Sequence, residues 1–450
     1  MSEHERFDFD DAAALLDKAR ALGVDMPFVD DIGVLLEPIE VAGRRLPNRI
    51  ALHPMEGCDG QADGSPGELT ARRYERFAAG GAGLIWFEAT AVVPEGRANP
   101  RQLWIAARNV DRFARLLEQT RQTAGRSMGP AHEPLCILQL THSGRYSRPE
   151  GEPGPIIARH CPQLDGRQGL PPDHPLISDD ELDRLRGAYL SAAGLAARAG
   201  FDGVDVKACH GYLVSELLAG HTRTGSRYGG SFANRARFLL EVVAGIRDRL
   251  PDLIVTTRFN AFDGLPHPHG FGASPEAPGA GDLSEPQMLA RALGEVGCPL
   301  LNVSAGNPYH VPHIGRPFDK PVANAGKPEE HPLAGVARLL RLAATVQRAV
   351  PDTPVVGTGY SWLRQHFPHV GAGVLRAGGA GIIGVGRLAF AYPDLVKDLA
   401  ERGRLEPRKV CVACSGCSQI MRDGGRAGCV VRDQQVYAEQ YRRGRRSSRA

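Results

Sequence analysis

Four cysteines stand within nineteen residues near the end of the chain: Cys411, Cys414, Cys417 and Cys429, spaced C-x2-C-x2-C-x11-C. Thiolates in this pattern bind metal. Three ligands within seven residues wrap a compact loop around one centre, and the distant fourth closes it. Gly424 and Gly425 let the chain double back before Cys429. The spacing fits a four-iron four-sulfur (4Fe-4S) cluster. Zinc more often takes two separated CxxC pairs or Cys/His pairs, and a degenerate remnant of a cluster site is the third reading. The other cysteines (Cys58, Cys136, Cys161, Cys209 and Cys298) are scattered and read as small buried fillers. Cys58 and Cys209 are held open because polar motifs adjoin them.

A second set of chemistry-bearing residues recurs at the ends of short apolar, β-branched runs. These runs are RIAL (49–52), GLIWFEA (83–89), CILQL (136–140), GVDVKA (203–208), LIVTTRF (253–259), LLNVS (300–304), PVVGTG (354–359) and GIIGVG (381–386). Their ends carry His53-Pro54-Met55-Glu56, Glu88, Gln139, Lys207 with His210 and Tyr212, Arg258, Ser304, Gly357-Thr358-Gly359 and Gly386-Arg387. Any one of these could be a satisfied core group. Eight polar or glycine-rich ends together point to one site.

The elements that position them follow from the alternation. Helical patterns separate the runs, at 177–200, 231–250, 283–297 and 331–350, and Ser178 with Glu181 forms a capping box. Continuous apolar strands followed by helices imply a parallel sheet covered on its outer face. Eight such units predict an α/β fold, a (β/α)8 TIM barrel with long βα loops and a C-terminal cysteine-rich iron–sulfur segment. A doubly wound sheet is the runner-up, but no GxGxxG follows the first strand. Long Gly-, Pro- and His-rich loops at 141–176, 260–282 and 305–330 are candidate lids on the catalytic face. The expected division is an N-terminal helical extension over 1–36, the barrel over 37–402, and the iron–sulfur segment with its basic tail over 403–450.

Composition sets bounds. In 450 residues, 42% are apolar and the net charge is +3, too small to argue for nucleic acid. No stretch approaches the roughly 20 apolar residues of a membrane span. The acidic start MSEHERFDFDDAAALLDKAR lacks a basic, then apolar, leader. A cytoplasmic protein is expected, and in the reducing cytosol clustered cysteines favour metal over disulfides. The basic end QYRRGRRSSRA reads as a solvated, frayed tail, or else as a docking surface.

NRIALHPM, FEATAVVPEGR, LQLTHSGR, GFDGVDVKACHGYLVSELL, RYGGSFANRARF and GVGR occur in this order over roughly residues 37–400. Together they resemble the old yellow enzyme family of FMN-dependent NADH:flavin oxidoreductases. The terminal cysteines narrow the resemblance to the branch of 2,4-dienoyl-CoA reductase, 2-enoate reductase and trimethylamine dehydrogenase, in which a 4Fe-4S cluster follows the FMN barrel. The resemblance implies that Pro54 and Met55 flank the flavin ring, Ala89 lies beside it and Gln139 bonds its pyrimidine edge. It places Arg258 near N1 and the C2 carbonyl, where a cation stabilises the reduced ring, and puts Gly359, Gly386 and Arg387 at the phosphate. Tyr212 matches the proton donor, and His210 the second of two side chains that hold a substrate carbonyl oxygen.

Three departures stand out. Lys207 occupies the first carbonyl-binding position, where histidine or asparagine is usual; it either stabilises a developing enolate or forms a buried ion pair with Glu88 or Glu56. Glu56 follows Pro54-Met55 where many members have Cys or Thr, and a carboxylate there disfavours a reduced, anionic flavin. The usual RTDxYGGS reads RTGSRYGGS (223–231), without its acid. The implied activity is reduction of an activated C=C bond in an enoate, enone or enoyl thioester, with Tyr212 giving the proton. The alternative is amine oxidation or demethylation with electrons leaving through the cluster, and a non-enzymatic electron-transfer subunit is a third reading. Only about twenty residues follow Cys429, so no second dinucleotide-binding domain is expected. Electrons then come from NADH or NADPH directly, or pass to and from a separate electron-transfer flavoprotein or reductase. The expected partners are a small-molecule substrate and that redox protein, with no nucleic acid and no membrane; a homo-oligomer is left open.

Overall fold

The structure is a computed structural model, and it describes residues 4–277 and 279–447. Among the described residues ten strands form: β1 Ile39–Val41, β2 Arg44–Leu46, β3 Ile50–Leu52, β4 Leu84–Ala91, β5 Leu135–Thr141, β6 Gly203–Val206, β7 Ile254–Phe262, β8 Leu301–Ala305, β9 Val355–Gly357 and β10 Ile382–Val385. Strands β3 to β10 are parallel and close in the order β10-β3-β4-β5-β6-β7-β8-β9. The seam is the pairing of β10 with β3, Ile383 to Ile50 and Val385 to Leu52. Closure rules out the doubly wound sheet and leaves an eight-stranded parallel barrel with its helices outside.

Each barrel strand is fully buried. That double-sided burial is why the runs read as unbroken apolar stretches rather than alternating ones. The helix Asp179–Arg198 begins at the expected capping box: Glu181 N–H donates to Ser178 Oγ at 3.2 Å and Ser178 N–H to Glu181 Oε2 at 2.7 Å. Asp179 supplies the acid that the 223–231 loop lacks, accepting from Ser226 Oγ at 2.6 Å and Arg223 Nη2 at 2.9 Å.

The β1–β2 hairpin was not foreseen. It turns through Ala42 and Gly43, both at positive φ, as a two-residue hairpin turn requires. Its Val41 and Leu46 pack with Leu84, Trp86, Leu135, Ile254, Leu300 and Ile382, which plugs the end of the barrel where the strands begin.

The long loops are less irregular than their composition suggested. They hold the helical turn Gly144–Tyr146 and the short helices Pro162–Gln168 and Pro312–Gly315. The basic end is a correction as well. It is helical over Gln434–Ser447, with Tyr437 and Tyr441 packed beside Ile420, Met421 and Ala427; apolar residues at helical spacing outweigh the arginines between them. Residues 448–450 of that tail lie outside the described residues. The segment is tied to the barrel by Arg72 with Asp433 at 2.7 Å, Ala427 N–H to Gly57 O at 2.6 Å and Asp319 N–H to Ala413 O at 3.0 Å. Among the described residues no helix is long and apolar enough to cross a membrane.

Candidate active site

Parallel closure brings all eight strand ends to one face. There two adjoining hollows open. The first is lined by His53, Thr358, Gly359, Gly384, Gly386 and Arg387, among others. The second is lined by Glu56, Gln139, Lys207, Tyr212, Tyr309 and Arg422, among others. Pro54, Met55, His210, Arg258 and Arg316 border both.

The first hollow suits an anionic, flat-ended ligand. Arg258 Nε and Arg387 Nη1 are buried donors with no partner in the protein. A buried unpaired donor is costly, so both are poised for acceptors that a ligand brings. Arg387 is fixed by Nη2 donating to Pro317 O at 2.6 Å. A side chain at Gly386 would stand 3.0 Å from Met55 Sδ, and one at Gly359 3.1 Å from Leu339; both glycines keep the cradle open. Gln139 donates its Nε2 to Asp205 Oδ2 at 2.6 Å, which leaves the amide oxygen for a ring N–H. FMN therefore fits Pro54, Met55, Gln139, Arg258, Gly359, Gly386 and Arg387. Ala89 does not border either hollow; it is buried in β4, its carbonyl accepting from Gln102 Nε2 at 3.2 Å.

Asp205 is the group that sequence reasoning passed over. It is fully buried, and it also accepts Trp86 Nε1–H at 2.9 Å and the Arg258 backbone N–H at 2.7 Å. Burial raises its carboxyl to about 6, against the pull of those three donors. Its signal was an acid in the middle of an otherwise apolar strand, GVDVKA.

In the second hollow, Tyr212, His210 and Lys207 come together. His210 sits at φ +67 with Nε2 2.9 Å from Ser304 Oγ. Burial, helped by Arg258 and Lys207, holds its imidazole well below the ordinary range, so it is neutral. Lys207 Nζ pairs with Glu56 Oε1 at 3.2 Å and lies 3.6 Å from the centre of the Tyr212 ring. The Tyr212 hydroxyl donates to the same Glu56 oxygen at 3.2 Å. Burial first, and Glu56 second, push this phenol well above its ordinary range. Tyr309 lies 3.3 Å from Tyr212 between hydroxyls and stacks on Tyr146 at 3.8 Å.

Glu88 borders neither hollow. It pairs with Arg73, which also holds Asp59 at 2.6 Å, and it accepts Gly57 N–H at 2.8 Å. Two buried carboxylates thus share one guanidinium, and burial lifts Glu88 to about 7. Cys58 and Cys209 are buried, and burial raises both thiols, Cys209 to about 11; neither is an activated nucleophile.

Cys411, Cys414, Cys417 and Cys429 line one further hollow together with Arg387, Phe390 and Arg432. Backbone N–H groups of Ala413 and Arg432 approach the sulfurs of Cys411 and Cys429 at 3.4 and 3.3 Å. Ala413 and Ser415 are left-handed at φ +48 and +58, which turns the loop tightly enough to face its thiols inward. Among the described residues no three His, Cys, Asp or Glu side chains are arranged for a single metal ion. Cys417 and Phe390 also border the second ligand hollow, and Arg387 the first.

Comparison with known proteins agrees with this geometry. Residues 34–272 match the NADH:flavin oxidoreductase / NADH oxidase family. An NADPH dehydrogenase of Halalkalibacterium halodurans is 31% identical over 305 residues, 67% of this chain and 81% of the relative. Among solved structures, 2-naphthoyl-CoA reductase in complex with 2-naphthoyl-CoA superposes with a TM-score of 0.71 at 20% identity, covering 91% of this chain and 58% of that one. Histamine dehydrogenase from Rhizobium sp. 4-9 gives 0.66 at 22% identity, over 89% of this chain and 52% of that one. This chain therefore spans little more than half the length of those two proteins.

Proposed function

The chain belongs to the NADH:flavin oxidoreductase / NADH oxidase family, and from that premise we propose that it is an FMN-dependent enzyme reducing an activated C=C bond in an enoate, enone or enoyl thioester. The observation that carries this reading is the charge of the second hollow. Lys207, Arg258, Arg316 and Arg422 border it against the single carboxylate of Glu56. Such a lining draws in a substrate bearing a carboxylate or a polarised carbonyl, and stabilises the enolate that forms when the alkene is reduced.

FMN, when bound, supplies the hydride. The protein's own residues do the rest. Arg258 stabilises negative charge on the ring edge, and the Lys207 ion pair offsets the Glu56 carboxylate that would oppose it. Neutral His210, held by the 2.9 Å hydrogen bond between its Nε2 and Ser304 Oγ, presents its imidazole to the substrate carbonyl. Tyr212 gives the proton to the neighbouring carbon. Tyr309 borders the hollow beside Tyr212 and is stacked on Tyr146.

The four thiols are assigned to a 4Fe-4S cluster. All four cysteines border one hollow, and their C-x2-C-x2-C-x11-C spacing suits a centre in which each thiolate binds its own iron. A lone zinc requires four ligands within about 2.3 Å of one point. NADH or NADPH, or a separate electron-transfer flavoprotein or reductase, supplies or removes electrons.

Amine oxidation is the second reading, favoured by the three tyrosine rings of Tyr146, Tyr212 and Tyr309, which could cage a cation. Against it, the Tyr212 face is already occupied by the Lys207 ammonium. Anaerobic mixing separates the two. Reduced enzyme should be reoxidised by an enoate or enoyl thioester; bleaching of oxidised enzyme by amines, with no response to alkenes, would overturn the ene-reductase assignment.

A further inference from the structure

Glu56 and Lys207 form a buried ion pair beside Tyr212. A single oxygen, Glu56 Oε1, receives the Lys207 ammonium and the Tyr212 hydroxyl, each at 3.2 Å. The side chains of Lys207 and Glu56 are only 5% and 13% exposed. This places a proton-rich cation one carboxylate away from the proton donor of the proposed reaction.

The need for such a group follows from burial. Once Tyr212 has given up its proton, a tyrosinate remains in a site closed by Tyr309 and Tyr146, where an unpaired charge is expensive. Tyr309, the other hydroxyl in contact, is itself held by burial well above its ordinary range and keeps its proton. The guanidinium groups of Arg258, Arg316 and Arg422 do not deprotonate in proteins. An ammonium does, and lysine is the cation whose proton affinity a buried site can tune.

We infer that Glu56 and Lys207 form a proton store that refills Tyr212 after each turnover, an inference that rests on the alkene-reduction reading above. The Tyr212 O–H bond breaks as the substrate C–H bond forms. The Lys207 ammonium then gives one proton to Glu56 Oε1, and Oε1 passes it to the tyrosinate oxygen. Lys207, left as a neutral amine, takes a proton from water at the mouth of the hollow. One solvent proton enters the product per turnover, and no electrons move beyond the hydride pair. Glu56 and Lys207 act here through Tyr212 and are positioning and relay groups. Lys207 thus adds proton supply to the positive charge it brings to the hollow.

Charge and proton supply can be separated by Lys207→Arg, which keeps the cation and removes the transferable proton. Reduced holoenzyme is mixed anaerobically with a cinnamate-type enoate in one-equivalent and excess-reductant formats. In Lys207→Arg and in Glu56→Gln, Tyr212 starts loaded, so later turnovers should fall by about 10²-fold below the first turnover of the same variant, giving a burst of one product per active site. Tyr212→Phe should lose the burst. Flavin content and melting temperature establish that each variant is folded; should Lys207→Arg not fold, Glu56→Gln carries the same test. Steady turnover at the wild-type rate in Lys207→Arg, or equal slowing of first and later turnovers in both variants, would overturn the proton store while leaving ene-reduction intact. A wild-type enzyme that no enoate, enone or enoyl thioester reoxidises would overturn both.

Discussion

Asp205 is joined by a 2.6 Å hydrogen bond to Gln139, which borders the second hollow. The carboxylate can only accept, and every group facing it donates: the Gln139 amide, the Trp86 indole and the Arg258 backbone. Asp205 thereby sets which way Gln139 presents its oxygen.

Asp205→Asn should therefore do more than remove a charge. Its new amide would point a donor at donors, costing about 1–3 kcal/mol for the unpaired group and letting Gln139 turn. Flavin affinity should fall with stability. The pH response gives a second readout. The folded carboxyl at about 6 lies above its ordinary 3.8, so the folded state holds this proton more tightly. The wild-type contribution is greatest below pH 4 and declines as pH rises through about 6, by about 3 kcal/mol in all. Matched denaturant curves for wild type and Asp205→Asn, at pH 4 and pH 7, should show their difference change by that order. A constant difference would contradict the shift.

Arg73 gives a sharper stability test. It is buried and holds both Asp59 and Glu88, and Glu88 in turn holds the Gly57 N–H. Arg73→Met leaves two carboxyls buried without their cation, at a cost of about 3–5 kcal/mol. Because Gly57 follows Glu56, the loop that positions Tyr212's partner should loosen, lowering turnover as well. The triple change Arg73→Met/Asp59→Asn/Glu88→Gln should recover much of the stability, as measured by chemical denaturation. If the triple variant is no more stable than the single, unpaired charge is not the cause.

These two groups show where the sequence was informative and where it was silent. The eight strands were legible because parallel strands are buried on both faces and read as unbroken apolar runs. The helix starting at Asp179 was legible because its cap is local, Ser178 with Glu181. Gln139, His210, Tyr212 and Arg258 converge because strand order alone puts their ends on one face. Arg73–Glu88 was not legible, since the pairing depends on which face of a helix meets which strand; Glu88 looked like a ligand-facing acid and is a buried anchor. Arg316, Tyr309 and Arg422 were missed for a similar reason. They lie in loops and in the cysteine segment, and reach the hollow only through tertiary docking. The hairpin at 39–46 is short, and its Ala-Gly turn gave too weak a local signal beside the barrel pattern.

Arg422 should govern substrate charge. It is anchored by Nη2 to Pro308 O at 3.0 Å and borders the second hollow, at the edge where a carboxylate would enter. Arg422→Leu should raise KM for an enoate about tenfold, near 1.4 kcal/mol, while leaving KM for a neutral enone of the same skeleton within twofold. The comparison needs both substrates on both proteins. Equal effects on the two would mean that Arg422 shapes the opening without reading charge.

The cysteine hollow makes the last prediction. Cys411, Cys414 and Cys417 lie on a loop whose turns at Ala413 and Ser415 are left-handed, a conformation costing roughly 1–3 kcal/mol per residue unless something holds it. Metal–sulfur bonds would do so, and Cys429 joins the loop to the strand of chain that donates Ala427 N–H to Gly57. Cys429→Ala should lower bound iron and labile sulfide together and expose the 411–430 segment to limited proteolysis. Flavin content should change much less, because the flavin cradle at Gly359, Gly386 and Arg258 lies on barrel strands and the turns that follow them. Metal analysis of anaerobically purified wild type should give iron and sulfide in equal amounts, about four of each per chain. Zinc in their place, or four freely titratable thiols, would remove the cluster from the enzyme and leave the segment as a wall of the substrate pocket.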